Sequence, residues 1–155
     1  MARVGTLPGE NFMHPTLGAV IALAILRRRR GRARRILVPM AAASLGAIVA
    51  HHVVKAVYRR RRPELALRRG NHEPAFPSGH TADATAVLAT GAYLLVREGL
   101  LSKQVAIPLA TALAASTGVS RVVLGWHWSS DVIGGWLTGL GVAAECAILY
   151  EELSS

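Results

Sequence analysis

A single cysteine, Cys146, stands among the 155 residues. That excludes an intrachain disulfide framework, a thiolate zinc cage and a paired-thiol redox motif. Its place near the C-terminus does not suit an N-terminal lipoprotein anchor either. Aromatic residues make up only 5% of the chain, and nine acidic residues face eighteen Lys+Arg. Lysine is scarcer still: all the cations but Lys55 and Lys103 are arginine. Charged residues total 17%, against about 25% in an average soluble protein. What is plentiful is apolar: 52% of the chain is hydrophobic and the net charge is +9, with a mean hydropathy of +0.35 and an isoelectric point near 11.2. A nucleic-acid binder explains that charge but not the hydropathy, and a soluble core explains neither. A chain embedded in a bilayer, with cationic loops, explains both.

Charge-poor apolar stretches fall at Phe12 to Leu26, Ile36 to Val57, about Thr81 to Val96, Gln104 to Val119 and Val132 to Tyr150. A helix needs about 20 residues to cross a hydrocarbon core of roughly 30 Å. The second and fifth stretches are long enough. The third and fourth reach that length by extending into the polar residues beside them. The first is short and carries Pro15. Arg27–Arg30 follow it where a secretory signal has a small-residue cleavage site, so it reads as a retained helix. The expected fold is all-α: a polytopic transmembrane helical bundle of about five spans, one domain over residues 1–155. Small residues crowd these spans, as at Leu45-Gly46-Ala47, Gly134-Gly135, Gly139 and Gly141, and in lipid they let helices approach closely. Alternating the loops puts nine cations on each side of the bilayer. Setting Lys55, Arg62 and Arg121 aside as functional leaves nine against six. That balance places Arg27–Arg35 in the cytoplasm and the Lys55–Asp131 side outside.

Three polar clusters interrupt the apolar chain, all on that second side. Lys55 is followed seven residues later by Arg62-Pro63. On a continuous helix those two cations share a face, and Pro63 ends the helix. Pro77-Ser78-Gly79-His80 opens the third span, where unpaired helix N–H groups form an anion site. Ser120-Arg121 precedes His127, and Asp131 follows at i+4, so a carboxylate can hold one imidazole nitrogen and leave the other free as a nucleophile. Singly, each has an ordinary explanation: three of Arg59–Arg62 read as a solvated or headgroup-facing run, and Ser78 reads as a helix cap. His51 and His52 read first as interfacial residues that snorkel and second as contacts to a substrate headgroup, and Trp126 and Trp128 first as interfacial anchors and second as walls of an active-site mouth. His72 and Glu73, in the loop before Pro77, are candidates to shape a headgroup pocket, and Asp83 to compensate a helix dipole. The clusters together are different. Ionisable groups beside apolar spans are costly and usually functional, and a set of cations, an anion nest, two histidines and a carboxylate suits a phosphate.

The chain resembles the type 2 phosphatidic acid phosphatase family, which also includes the vanadium haloperoxidases. The family's three blocks read Lys-x6-Arg-Pro, Pro-Ser-Gly-His and Ser-Arg-x5-His-x3-Asp. Here they are Lys55 with Arg62-Pro63, Pro77 to His80, and Ser120-Arg121 with His127 and Asp131, over about half the chain. The resemblance implies a membrane lipid phosphatase. It makes His127 the nucleophile that forms a phosphohistidine, Asp131 its orienting carboxylate, and His80 the general acid and then base. Lys55, Arg62, Ser78, Gly79 and Arg121 would cradle the phosphoryl oxygens. It implies no cofactor and no metal, in keeping with the lack of a carboxylate cluster for Mg²⁺. Family members commonly have six spans, and this chain has room for five.

The expected activity is therefore hydrolysis of a lipid phosphomonoester or diphosphate at the bilayer surface, with the membrane lipid and the bilayer as partners and no nucleic acid. The arginine and alanine bias suggests a high-GC bacterium, so a polyprenyl phosphate-type lipid of envelope synthesis leads, in the cytoplasmic membrane with an outward-facing site. Phosphatidic acid and phosphatidylglycerol phosphate are the alternatives. A vanadate-dependent peroxidase and an idle subunit that binds anionic lipids are the competing classes. The intact nucleophile, acid and orienting Asp speak against the idle subunit, which would need only the cations.

Overall fold

The computed structural model describes residues 9–155, with side chains from Pro15 onward except that of residue 30. Its elements are α1 (Gly9–Arg28), a 3-10 turn (Arg30–Arg32), α2 (Ala33–Tyr58), α3 (Glu64–Arg68), α4 (Gly79–Arg97), α5 (Lys103–Val123) and α6 (Ser129–Glu152). Among the described residues there is no strand. The five long helices coincide with the five apolar stretches, each extended at its ends. The first stretch is longer than its apolar run suggested, since α1 has 20 residues and carries Pro15 within it.

Among the described residues three helices, α2, α5 and α6, are long and apolar enough to cross a membrane. Their outer faces carry Leu45, Val49, Val53, Ile107, Leu113, Leu137 and Ile148, all exposed. In water that much exposed aliphatic surface would drive association; a lipid environment removes the cost. α4 is less apolar for a physical reason. It sits at the centre of the bundle and packs on α6, α5, α2 and α1, so it meets protein on most sides. Thr81, Thr85 and Thr90 are buried along it, and the Thr85 hydroxyl donates to the Thr81 carbonyl at 2.7 Å.

Small residues set the closest approach in the bundle. A Cβ on Gly135 would lie 2.8 Å from the Ser78 carbonyl oxygen, and one on Gly139 would lie 2.6 Å from that of Ala82. These glycines are one turn apart on α6. Backbone therefore touches backbone where α6 crosses the first turns of α4.

The connections lie at two ends. At one, the Glu98 side chain is wholly buried and draws in several partners. It accepts from Arg32 Nη1 at 2.8 Å and from the Tyr150 hydroxyl at 2.7 Å, while Arg29 Nη2 donates to its carbonyl at 2.8 Å. Arg97 and Tyr93 both reach Glu151. That end ties the α1–α2 turn to the end of α4 and to α6. The other end gathers the segment from Arg59 to Ser78 and the turn between α5 and α6. Arg3, counted among the cations of this second end, lies outside the described residues.

Candidate active site

The site is built where the second end's loops meet the start of α4 and of α6. The two cations of the first block do not share a helical face. α2 ends at Tyr58, because Arg59 turns into the left-handed region at φ 43°, so Arg62 lies on a non-helical segment. Pro63 then starts α3 rather than ending α2. The cations still converge, by folding instead of by periodicity. Lys55 Nζ donates to the Pro74 carbonyl at 3.0 Å, and Arg62 Nε donates to the neighbouring Glu73 carbonyl at 2.9 Å. Both side chains are buried. Their partners are mainly neutral carbonyls, with the exposed Glu73 carboxylate 4.0 Å from Lys55. Carbonyls satisfy N–H groups without cancelling charge, so this end keeps a positive potential suited to an anion.

His127 likewise does not sit on a helix with Asp131. It precedes α6, whose N-cap is Trp128 and whose third residue is Asp131. Asp131 Oδ2 accepts from the Trp128 amide at 2.8 Å, the helix-start contact of a capping box. That cap brings the carboxylate under the imidazole, with His127 Nδ1 3.5 Å from Asp131 Oδ2. The separation is longer than a closed hydrogen bond, and Nδ1 makes no other; such contacts commonly tighten once substrate binds. On the ring's other side, Arg62 Nη1 lies 3.1 Å from His127 Nε2 and 3.0 Å from the Trp126 carbonyl. A guanidinium can only donate. Nε2 therefore offers its lone pair, and the ring proton is assigned to Nδ1, facing Asp131. Burial, together with the Arg62 and Lys55 cations, pulls the His127 pKa below its usual value, and the Asp131 carboxylate only partly opposes them. Burial also lowers the Arg62 guanidinium, against the pull of Glu73 and Asp131. It remains charged at neutral pH.

Ser78 caps α4 as expected, but through its place rather than a side-chain bond to the helix. Its hydroxyl accepts from the Thr81 hydroxyl at 2.9 Å, and its amide donates to the Asp131 carbonyl at 2.9 Å, which locks the start of α4 to the start of α6. Gly79 and His80 occupy the first turn of α4. Arg121 lies in the last turn of α5, with its Nε donating to Ser120 Oγ at 3.2 Å. Its carbonyl accepts from the amides of Trp126 at 2.9 Å and His127 at 3.3 Å, so the third block closes on itself in one turn.

Several residues read as bystanders are built into the site. His51 is buried rather than snorkelled: its ring lies 3.1 Å from where a Gly79 Cβ would stand, and its Nε2 is 3.4 Å from Asp83 Oδ1. Asp83 therefore faces a histidine and not only the helix dipole. His52, its neighbour, is exposed as expected. In the arginine run, Arg59, Arg60 and Arg61 are all exposed, but Arg60 also reaches the buried Asp131 Oδ1 at 3.1 Å and Ser130 Oγ at 2.6 Å. Nothing in a run of four arginines marks the second member as different. The distinction arises from the turn at Arg59. Trp128 is exposed and donates its indole N–H to the Arg61 carbonyl at 3.1 Å, and Trp126 lies under Arg69 at 5.1 Å. An open cleft of about 650 Å³, lined by Arg59–Arg62, His72 and Pro74 among others, adjoins this region.

Comparison with known proteins follows the same blocks. A family model described as the PAP2 superfamily matches residues 36–154. Phosphatidylglycerophosphatase B of Bacillus subtilis is 38% identical over 91 residues, covering 57% of this chain and 45% of that protein. Decaprenylphosphoryl-5-phosphoribose phosphatase of Mycobacterium tuberculosis is 31% identical over 130 residues, covering 79% of this chain and 63% of that protein. The chain thus spans roughly half to two-thirds of the length of these relatives. Among solved structures, a transmembrane PAP2 type phosphatidylglycerolphosphate phosphatase from Bacillus subtilis superposes with a TM-score of 0.69. It is 24% identical, with 98% of this chain and 80% of that chain covered; the likeness is one of fold.

Proposed function

The chain belongs to the PAP2 superfamily, and from that membership we propose that it is an integral-membrane lipid phosphatase working through His127. One observation carries the reading. The His127 ring is fixed between Asp131, 3.5 Å from Nδ1, and Arg62, 3.1 Å from Nε2, so a nucleophilic lone pair points into a buried cluster of cations.

The chemistry follows from that arrangement. A lipid phosphate entering the cluster displaces Arg62 from Nε2 and takes its hydrogen bonds, along with those of Lys55, Arg121, the Ser78 hydroxyl and the Gly79 N–H. His127 Nε2 then attacks phosphorus. The P–N bond forms as the bond from phosphorus to the lipid oxygen breaks, and His80 gives that oxygen its proton. The Nδ1–H, held by Asp131, stabilises the positive charge on the ring. In the second half, His80 takes a proton from water, the water oxygen attacks phosphorus, and the P–N bond breaks to release phosphate and neutral His127. The cations offset charge on the equatorial oxygens throughout. Among the described residues, no group of three or more His, Cys, Asp or Glu is placed to hold a metal ion, and the reaction is written without one.

For the substrate we favour a polyprenyl phosphate-type lipid of a bacterial envelope, a choice supported by the relative named decaprenylphosphoryl-5-phosphoribose phosphatase, with the site on the outer face of the cytoplasmic membrane. Phosphatidylglycerol phosphate and phosphatidic acid are the alternatives, the first supported by the Bacillus relative. The test is phosphate release by the detergent-purified protein in EDTA. The panel is undecaprenyl diphosphate, a prenyl-phosphoryl-pentose phosphate, phosphatidylglycerol phosphate and phosphatidic acid. Turnover of one lipid well above the rest, abolished in His127→Ala, is expected. Activity that EDTA removes and Mg²⁺ restores, or that His127→Ala keeps, contradicts the mechanism.

A further inference from the structure

Asp131 is fully buried, and a buried carboxylate is costly unless its charge is met by partners. Its two oxygens are divided. Oδ2 takes the Trp128 amide and faces His127 Nδ1. Oδ1 takes Arg60 Nη1 at 3.1 Å. The same nitrogen donates to Ser130 Oγ at 2.6 Å, and the guanidinium lies 6.0 Å from the centre of the Trp128 ring. Arg60's backbone is committed too, its carbonyl accepting the Ala75 amide at 2.8 Å. One residue therefore links the segment after α2, the segment before α4 and the first turn of α6. The side chains of its neighbours do none of this: that of Arg59 donates to the Ala56 carbonyl, and that of Arg61, 80% exposed, meets Glu64 at 3.6 Å. Arg60 is not one of the specified positions of the Lys-x6-Arg-Pro block.

We propose that Arg60 is a positioning residue, holding the Asp131 carboxylate so that the carboxylate in turn holds the His127 ring; this rests on the phosphatase reading above. In this arrangement Arg60 acts through the carboxylate, its Nη1 being held by Asp131 and Ser130. With it gone, Oδ1 loses a charge-assisted bond and the carboxylate is free to rotate away from Nδ1. The buried negative charge is also less compensated, so His127 holds a proton more tightly. The other charged groups at this end are Lys55 from α2, Arg62 after it, Glu73 from the loop, His80 and the His51–Asp83 couple around the start of α4, and Arg121 from α5. None of them is altered by a change at Arg60.

The experiment compares Arg60→Gln and Arg60→Lys with the wild type, using the full chain in detergent. Kinetics are read on whichever lipid of the panel the wild type turns over fastest. His127 is followed separately by ¹⁵N NMR of histidine-labelled protein, its resonance assigned with His127→Gln. For Arg60→Gln, kcat falls about tenfold, the scale of one charge-assisted hydrogen bond, with KM within about twofold. The acid limb of the rate and the His127 titration both move to higher pH, by about half a pH unit or more. Arg60→Lys keeps the charge and restores the titration and most of kcat. The proposal is overturned if His127 titrates unchanged in Arg60→Gln, if KM rises while kcat is kept (a substrate contact), or if Arg60→Lys titrates away from the wild type. Should the wild type turn over none of the lipids, the phosphatase reading fails by itself, and the NMR titration still decides the role of Arg60.

Discussion

Replacing Gly139 by alanine puts a methyl carbon 2.6 Å from the Ala82 carbonyl oxygen and from Thr85 Cβ, and 3.0 Å from the Ala86 amide nitrogen. Two of those atoms are α4 backbone and cannot rotate aside. Recovering ordinary contact at 3.4 Å therefore needs α4 and α6 to separate locally by about 0.8 Å, and overpacking of that kind costs about 1–3 kcal/mol. Helix propensity works the other way, favouring alanine by up to about 1 kcal/mol, and the packing term is expected to win. Gly141, with no neighbouring atom within 4 Å of where a Cβ would stand, supplies the control: Gly141→Ala feels only the propensity and should be neutral or stabilising. The wedge also reaches the chemistry. Gly139 lies eight residues, about 12 Å, along α6 from Asp131, and the opposing α4 starts with Ser78, Gly79 and His80. A misplacement near 1 Å can cost about a hundredfold in rate, so turnover should drop by roughly tenfold to a hundredfold. Thermal unfolding in one detergent and phosphate release on one lipid measure both effects. Gly139→Ala matching Gly141→Ala in stability, with wild-type turnover, would refute the close-packed seam between α4 and α6.

Glu98→Ala removes the acceptor shared by Arg32 and Tyr150 at the end remote from His127. It should lower the unfolding free energy by about 1–3 kcal/mol while kcat stays near wild type; a matching fall in kcat would show that the two ends are coupled. For pH, the nucleophile must be neutral, and its pKa lies below the ordinary 6.5. The acid limb of kcat/KM is thus expected below pH 6.5, and a limb above that value contradicts the burial argument. The same lowered value makes the unfolded state bind more protons than the folded one. Stability is therefore unaffected by His127 above pH 6.5 and falls as pH drops from there through the lowered value, which unfolding midpoints from pH 7.5 to 5 in wild type and His127→Gln will show as a steeper decline in the wild type.

Sequence periodicity exposed the bundle because lipid-facing helices must be apolar on their outer surface, and Ile36 to Val57 and Val132 to Tyr150 are. It underrated α4, whose surroundings are protein: threonines are buried there, with the Thr85 hydroxyl on a backbone carbonyl and that of Thr81 on Ser78, so the apolar signal weakens where the packing is tightest. The site was legible as residue types in order, yet its geometry was not. Lys55 with Arg62, and His127 with Asp131, looked like helical pairs, but Arg59's left-handed turn and the Trp128 cap do the positioning. Arg60 and His51 were hidden for a related reason. The second arginine in a run of four, and one histidine of a pair, gain their roles only when distant segments fold against them.

The most direct test of the central claim is to quench turnover of a lipid labelled with ³²P on its scissile phosphate, in base, and map the label. Nε2 is the nitrogen that faces Arg62, so a base-stable, acid-labile phosphohistidine on His127 at Nε2 is predicted. It should be absent in His127→Ala and long-lived in His80→Ala, which lacks the base for the water step. Label on any other residue, or wild-type phosphate release with no labelled protein at any quench time, would contradict covalent catalysis by His127.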